Sequence, residues 1–97
     1  MALTGKQRRF LRSLGHHLDA VVQVGKQGVS DAVVAAADAA LAAHELIKIR
    51  CASECPQDRD EVAAALTTAV AAELVQKLGR TLLLYRPDPE RPRIALP

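Results

Sequence analysis

Aromatic side chains are almost missing from this chain: among 97 residues there is one Phe, one Tyr and no Trp. That scarcity leaves no row of rings for a stacking platform on a sheet and no aromatic-lined cleft for a small molecule. Cysteine is nearly as scarce. Cys51 and Cys55 lie four apart, which is neither a Cys-x-x-Cys redox pair nor half of a zinc site, since no second pair or His-x-x-x-His follows. His16, His17 and His44 do not complete a ligand set, so no metal is expected, and in a reducing cytoplasm no disulfide either. No run of about 18 apolar residues exists to span a bilayer. The opening Met1-Ala2-Leu3-Thr4-Gly5-Lys6 is no secretory signal, which points to a cytoplasmic protein. Formal charge is only +2, which excludes a histone-like polycation.

Enzyme signatures are missing too. No Gly-Lys-Ser/Thr follows the glycine pair at 25 and 28, and no third glycine completes a dinucleotide fingerprint. Ser13, Ser30 and Ser53 sit in no nucleophile elbow. Asp58, Asp60 and Glu61 crowd a helix start, where they complement the dipole. The chain reads as a binding module with no catalytic residue, cofactor or small-molecule substrate.

What the chain does contain is charge in blocks and elements in alternation. Residues 1–30 hold five Lys/Arg against one acid, residues 31–61 three against seven, and residues 62–97 five against three. Basic character therefore sits at the two ends of the sequence, which a fold can bring to one face. Thr4 to Gln7 is a capping box that opens a helix running to about Leu14, with Gly15 as its stop. Phe10, Leu11 and Leu14 lie on one side of that helix; Arg8, Arg9 and Arg12 lie on the other, flanked by Lys6.

A short strand over 20–24 follows, then a glycine turn. Ser30 caps a helix from Asp31 to His44 with Val33, Ala37, Ala40, Leu41 and His44 on one side. Leu46 to Ala52 alternates, so Ile47, Ile49 and Cys51 share one face and Lys48 and Arg50 the other. Asp58 to Glu61 is a second capping box, opening a helix to about Ala72 with Val62, Leu66, Ala69 and Val70 inward. Strands over 73–78 and 81–86 flank Gly79-Arg80, a pair suited to a two-residue type II′ hairpin.

The expected fold is α/β: a two-layer α-β-α-β-α-β-β domain with a mixed four-stranded sheet. It forms one domain over 1–97, with a core at 3–87 and an extended, proline-spaced tail at 88–97.

Gly25-Lys26-Gln27-Gly28 stands directly between the first strand and the second helix. Two glycines let a backbone turn tightly and approach another backbone, with loop N–H groups and the Lys26 ammonium outward at a helix N-terminus. KH modules clamp nucleotide backbones with a Gly-x-x-Gly loop of this kind, although many bare strand-to-helix turns carry two glycines as well. The candidate polynucleotide track comprises Gly25, Lys26, Gln27 and Gly28 with Lys6, Arg8, Arg9 and Arg12. Lys48, Arg50, Lys77, Arg80 and Arg86 join it if their strands face the same side. A carboxylate at Gly28 is expected to weaken RNA binding without unfolding the chain. With Phe10 expected in the core and Tyr85 packed on the sheet, recognition by shape or of structured RNA is favoured over base stacking on aromatics.

Longer motifs then agree with one family. Leu3-Thr4-x-Lys6-Gln7, Leu14-x-His16, Val22-x-Val24-Gly25-x-x-Gly28, His44-Glu45-Leu46-Ile47-Lys48 and Gly79-Arg80-Thr81-Leu82-x-Leu84-Tyr85-Arg86-Pro87 occur in order over residues 3–87. Together they resemble the CRM domain (chloroplast RNA splicing and ribosome maturation) in its stand-alone bacterial YhbY-type form. The resemblance implies a fold similar to the C-terminal domain of translation initiation factor three. It also implies association with ribosomal RNA in precursors of the large subunit, with Gly25 to Gly28 and nearby basic surface as the RNA contact; the chain itself is expected to be a monomer.

Two other readings stay open at this point. In one, the basic helix docks on an acidic protein as an assembly scaffold; retention of the same partners after ribonuclease would favour it. In the other, the chain coats duplex DNA, as dimeric chromatin proteins do.

Overall fold

The computed structural model describes residues 2–97, so the reading of Met1 lies outside it. Its elements follow the expected order: α1 (Gly5–Gly15), β1 (Ala20–Val24), α2 (Asp31–His44), β2 (Leu46–Cys51), α3 (Arg59–Val70), β3 (Glu73–Leu78) and β4 (Thr81–Tyr85). The caps act as their sequences dictate. The Gln7 N–H donates to Thr4 Oγ1 at 3.1 Å while Gln7 Oε1 accepts from the Thr4 N–H at 3.0 Å. Asp58 and Glu61 repeat this reciprocal pair at α3, at 2.8 and 3.0 Å. Each box satisfies donors that a helix start would otherwise leave orphaned. At the hairpin, Gly79 has φ 57 and Arg80 does not share a positive φ, the pattern of a type II′ turn.

The four strands form one mixed sheet in the order β1-β2-β4-β3. β1 runs parallel to β2, β4 pairs antiparallel with both β2 and β3, and β1 and β3 are the edges. Strand direction therefore gathers three connections at one end of the sheet. The turn after Val24, the loop after Cys51 and the β3–β4 hairpin meet there, tied by Ala52 N–H to the Val24 carbonyl at 2.9 Å and Cys51 N–H to the Arg80 carbonyl at 2.7 Å.

Side-chain alternation splits the core in two. Val22, Val24, Ile47, Ile49, Cys51, Leu82 and Leu84 face α2 and α3, meeting Ala37, Leu41, Val62, Ala63, Leu66 and Val70. The opposite face carries a smaller cluster of Leu11, Leu46, Val75, Leu83 and Tyr85 under α1. The mixed four-stranded sheet and the element order stand as expected; α2 and α3 cover one face, and α1 covers part of the other, adding a partial third layer to the expected two. Close approach marks its position: a Cβ on Gly15 would lie 2.7 Å from Leu83 Cδ2, so the helix end rests directly on the sheet and a side chain there would have to displace Leu83. Some helix faces differ from the periodic reading. Ala63 is buried in α3 while Ala69 is exposed, and His44 is exposed at the end of α2. Phe10 is half-buried and Leu14 is 37% exposed, because α1 reaches only part of the sheet and Leu11 alone is fully enclosed.

The C-terminal tail is docked. Glu45, fully buried at φ 64, accepts N–H donors from Asp88 at 2.6 Å, Arg93 at 2.8 Å and Ile94 at 2.9 Å. The Arg93 guanidinium donates to the Ala42 and Ala43 carbonyls at the end of α2, and Ile94 and Leu96 pack on the α1-side cluster. Burial pushes the Glu45 carboxyl up, but the three backbone donors and Arg93 outweigh it and hold it below its ordinary value.

Candidate nucleic-acid interface

The glycine turn is closed from within and braced from outside. The Gly28 N–H donates to the Gly25 carbonyl at 2.9 Å, and the Ser30 N–H donates to the Gly28 carbonyl at 2.9 Å. Across the chain, Gln57 Oε1 accepts from the Val29 N–H at 2.8 Å. Lys26 and Gln27 project from the tip, exposed, and their backbone N–H groups make no hydrogen bond within the described residues. The outward donors are thus the two tip amides and the ammonium; those of Gly28 and Val29 are used by the turn. The neighbouring helix start is answered by its own groups, with Ser30 Oγ accepting from Val33 N–H and Asp31 in the first turn.

The two glycines are not equivalent. Gly28 is buried at φ +66, and a Cβ there would meet Gln57 Oε1 at 2.6 Å and Pro56 Cγ at 3.4 Å. Any side chain at Gly28 strains the turn and displaces its brace, so the expectation that a carboxylate there spares the fold is corrected. Gly25 has open space around the corresponding point and ordinary φ. Gln57 was missed by sequence reasoning; its side-chain amide is the only hint, 28 residues from the N–H it serves.

The strand cations separate by side-chain parity. Lys48 and Arg50 alternate with the buried Ile47, Ile49 and Cys51, so they lie on the α1 side of β2. Arg50 is level with Gln23 of β1 and Thr81 of β4, at the end of the sheet that bears the glycine turn. Lys48 is level with Ala20 and Leu83, near the middle. Neither cation makes a hydrogen bond or ion pair within the described residues, and the same holds for Lys6, Arg9, Arg12 and Lys26. Arg80 is exposed in the hairpin at the same end and lowers the Glu54 carboxyl electrostatically, behind the stronger effect of the Ser53 hydroxyl.

Other candidates lie elsewhere or are engaged. Arg86 clamps the α2/α3 side, donating to Asp38 Oδ1 at 2.7 Å, to the Val70 carbonyl at 2.9 Å and to the Asp38 carbonyl at 3.1 Å. Lys77 pairs with Asp60 at 2.7 Å on that same side. Arg8 is half-buried and donates to the Leu74 carbonyl at the start of β3, the opposite end of the sheet from the glycine turn. The basic helix and the turn are therefore not one cluster. The turn lies at the end of the sheet and is braced by the loop before α3, whereas the last turn of α1, with Arg12, runs toward Lys48 as Gly15 settles on Leu83.

Tyr85 is buried, its hydroxyl pushed up by burial and by Glu45, so it offers no ring to a ligand. Cys51 is buried too, and burial raises its thiol. Among the described residues no group of three or more His, Cys, Asp or Glu could hold a metal, and no helix is long and apolar enough to cross a membrane.

Comparison with known proteins decides the family. The model of the CRS1/YhbY (CRM) domain matches residues 3–86. The chain belongs to the CRM domain family. This CRM domain is similar to "Probable RNA-binding protein YqeI" of Bacillus subtilis, 46% identical over 95 residues that cover 98% of this chain and 99% of the relative. It is also 39% identical to a protein named "RNA-binding protein" in Haemophilus influenzae, covering 98% of this chain and 95% of that one. The solution structure of SAV1595 from Staphylococcus aureus superposes with a TM-score of 0.82 at 40% identity, covering 99% of this chain and all of the other. These matches establish the fold of the CRM domain described above.

Proposed function

We propose that this CRM domain binds RNA along the α1 side of its sheet, from the glycine turn over Arg50 and Lys48 toward Arg12 and Arg9. The observation that carries the reading is the asymmetry of its cations. On the α2/α3 side Arg86 and Lys77 are held by Asp38 and Asp60, whereas Lys26, Lys48 and Arg50 make no ion pair among the described residues. Unpaired cations in register with one another are free to take phosphate oxygens and release counterions. Lys26, Gln27 and their amides would hold the backbone at the tip, with Gly25 allowing its close approach and Gly28 fixing the turn. Arg80 and Lys6 extend the positive border, Arg8 anchors α1, and Arg86 serves the fold. The names of its relatives support RNA as the ligand class.

The finer assignment, to ribosomal RNA in large-subunit precursors, rests on the family resemblance, and a cytoplasmic monomer is the form in which we expect it to act. Gly25→Asp tests the site, because a side chain fits there without a clash. Binding to structured RNA at fixed low salt should weaken by about tenfold or more, the scale of one charge-assisted contact. Unchanged affinity in a folded Gly25→Asp variant would remove the turn from the interface.

A further inference from the structure

Beside Lys48, on the same face, the fold leaves a cavity of about 570 Å³ that the phosphate contacts do not use. Leu14, Val21 and Leu46 give it apolar walls, while His17, Asp19, His44 and Lys48 bring polar groups of both charges to it. Its size falls in the range of roughly 300–1,000 Å³ typical of small-ligand sites. Among the described residues three large hydrophobic side chains are left exposed, and two of them, Leu14 at 37% and Val21 at 54%, border it. The tail completes the wall through Ile94, whose N–H is held by the buried Glu45 carboxylate. Apolar side chains left open to water beside one cation and one carboxylate indicate a ligand that is flat and apolar on its faces, carries donors as well as acceptors at its edge, and is attached to an anion that Lys48 can meet.

Resting on the RNA reading above, we propose that this cavity receives one unpaired nucleobase of the bound RNA. An unstacked base has that chemistry: its faces can lie against Leu14, Val21 and an imidazole, its edge can hydrogen-bond to His17 or His44, and its phosphate meets Lys48. The ring system is supplied by histidines, which gives a chain with no available Phe or Tyr platform a way to read an extruded base. The turn and Arg50 then bind backbone at one end of the face, and the cavity tells RNA with a bulge or loop from a continuous duplex.

Val21→Trp and, separately, Leu14→Trp fill the cavity from exposed positions. Each is compared with the unmodified protein by fluorescence anisotropy, using a continuous RNA duplex and the same duplex with a single-base bulge. The unmodified protein should prefer the bulged RNA. Each filled variant should lose that preference by about tenfold, the scale of one stacked base, while duplex affinity stays unchanged. A parallel titration with adenosine 5′-monophosphate should shift the ring signals of His17 and His44. No preference for the bulge, or equal losses on both RNAs from both folded variants, overturns the cavity assignment alone. So does full retention of RNA binding by variants that lose a protein partner instead. Failure of the unmodified protein to bind either RNA overturns the functional reading beneath it.

Discussion

The two sides of the sheet solve opposite problems. On the α2/α3 side two helices cover the strands, the larger core is closed, and Arg86 and Lys77 are matched by Asp38 and Asp60. On the α1 side one helix covers part of the surface, the cluster is smaller, and Lys48 and Arg50 are left without partners among the described residues. α1 has no acid in its first turn and three arginines along it, whereas α2 and α3 begin with Asp31 and with Asp60 and Glu61. One side spends its charges on the fold, whereas the other leaves Lys48 and Arg50 without ion pairs. A cation's role here depends on what faces it more than on its position in the chain.

The sharpest way to break that division is to damage the closed side. Leu66→Ala, in a fully buried position, should destabilise the protein by about 2–5 kcal/mol in denaturant unfolding. RNA affinity per folded molecule should be unaffected, and a parallel loss of affinity would mean that the two sides are not separable. Next in size, the double variant Lys48→Glu and Arg50→Glu should cut RNA affinity by about a hundredfold, on the scale of two charge-assisted contacts. Its salt slope should also be shallower, by about one unit for each phosphate no longer neutralised, while the unfolding midpoint barely moves.

Arg86→Ala should do the reverse of the double charge reversal. It leaves the Val70 carbonyl without its guanidinium donor and is expected to cost about 1–3 kcal/mol of stability with RNA affinity retained. Glu45→Gln, measured by thermal unfolding across pH, should weaken the tail by a similar amount, about 1–3 kcal/mol at neutral pH. The sign follows from the depressed carboxyl. Its stabilising effect is present above the ordinary value of 4.5 and is lost as pH falls through the lower folded value. The unmodified protein should therefore lose stability below about pH 4.5, and Glu45→Gln should flatten that limb. Smallest of all, Gly25→Ala should change stability by less than about 1 kcal/mol, whereas Gly28→Ala should cost about 1–3 kcal/mol through its left-handed backbone and the Gln57 clash.

Local chemistry made much of this fold legible. Both capping boxes, the Gly79-Arg80 turn and the alternation through Ile47, Lys48, Ile49, Arg50 and Cys51 are decided within a few residues, and the structure contains each of them. What was not legible depends on residues far apart in sequence. The apolar stripe of α1 is equally compatible with either face of a sheet; contact between Gly15 and Leu83 selects one. Arg50 and Arg86 look alike as cations at strand ends, and only the fold brings Asp38 to Arg86. The brace from Gln57 to Val29 and the grip of Glu45 on the tail both join segments that carry no shared local pattern. His44 follows the helical spacing of Ala37 and Leu41, but as the last residue of α2 it is exposed.

Backbone and side-chain NMR perturbation on adding structured RNA at low salt examines the division of the two sides most directly. Shifts concentrated at Gly25 to Gly28, Gln23, Lys48, Arg50 and Arg80, with the outer surfaces of α2 and α3 silent, are the predicted result. A footprint centred on α2 and α3 that leaves Lys48 and Arg50 unmoved would contradict it.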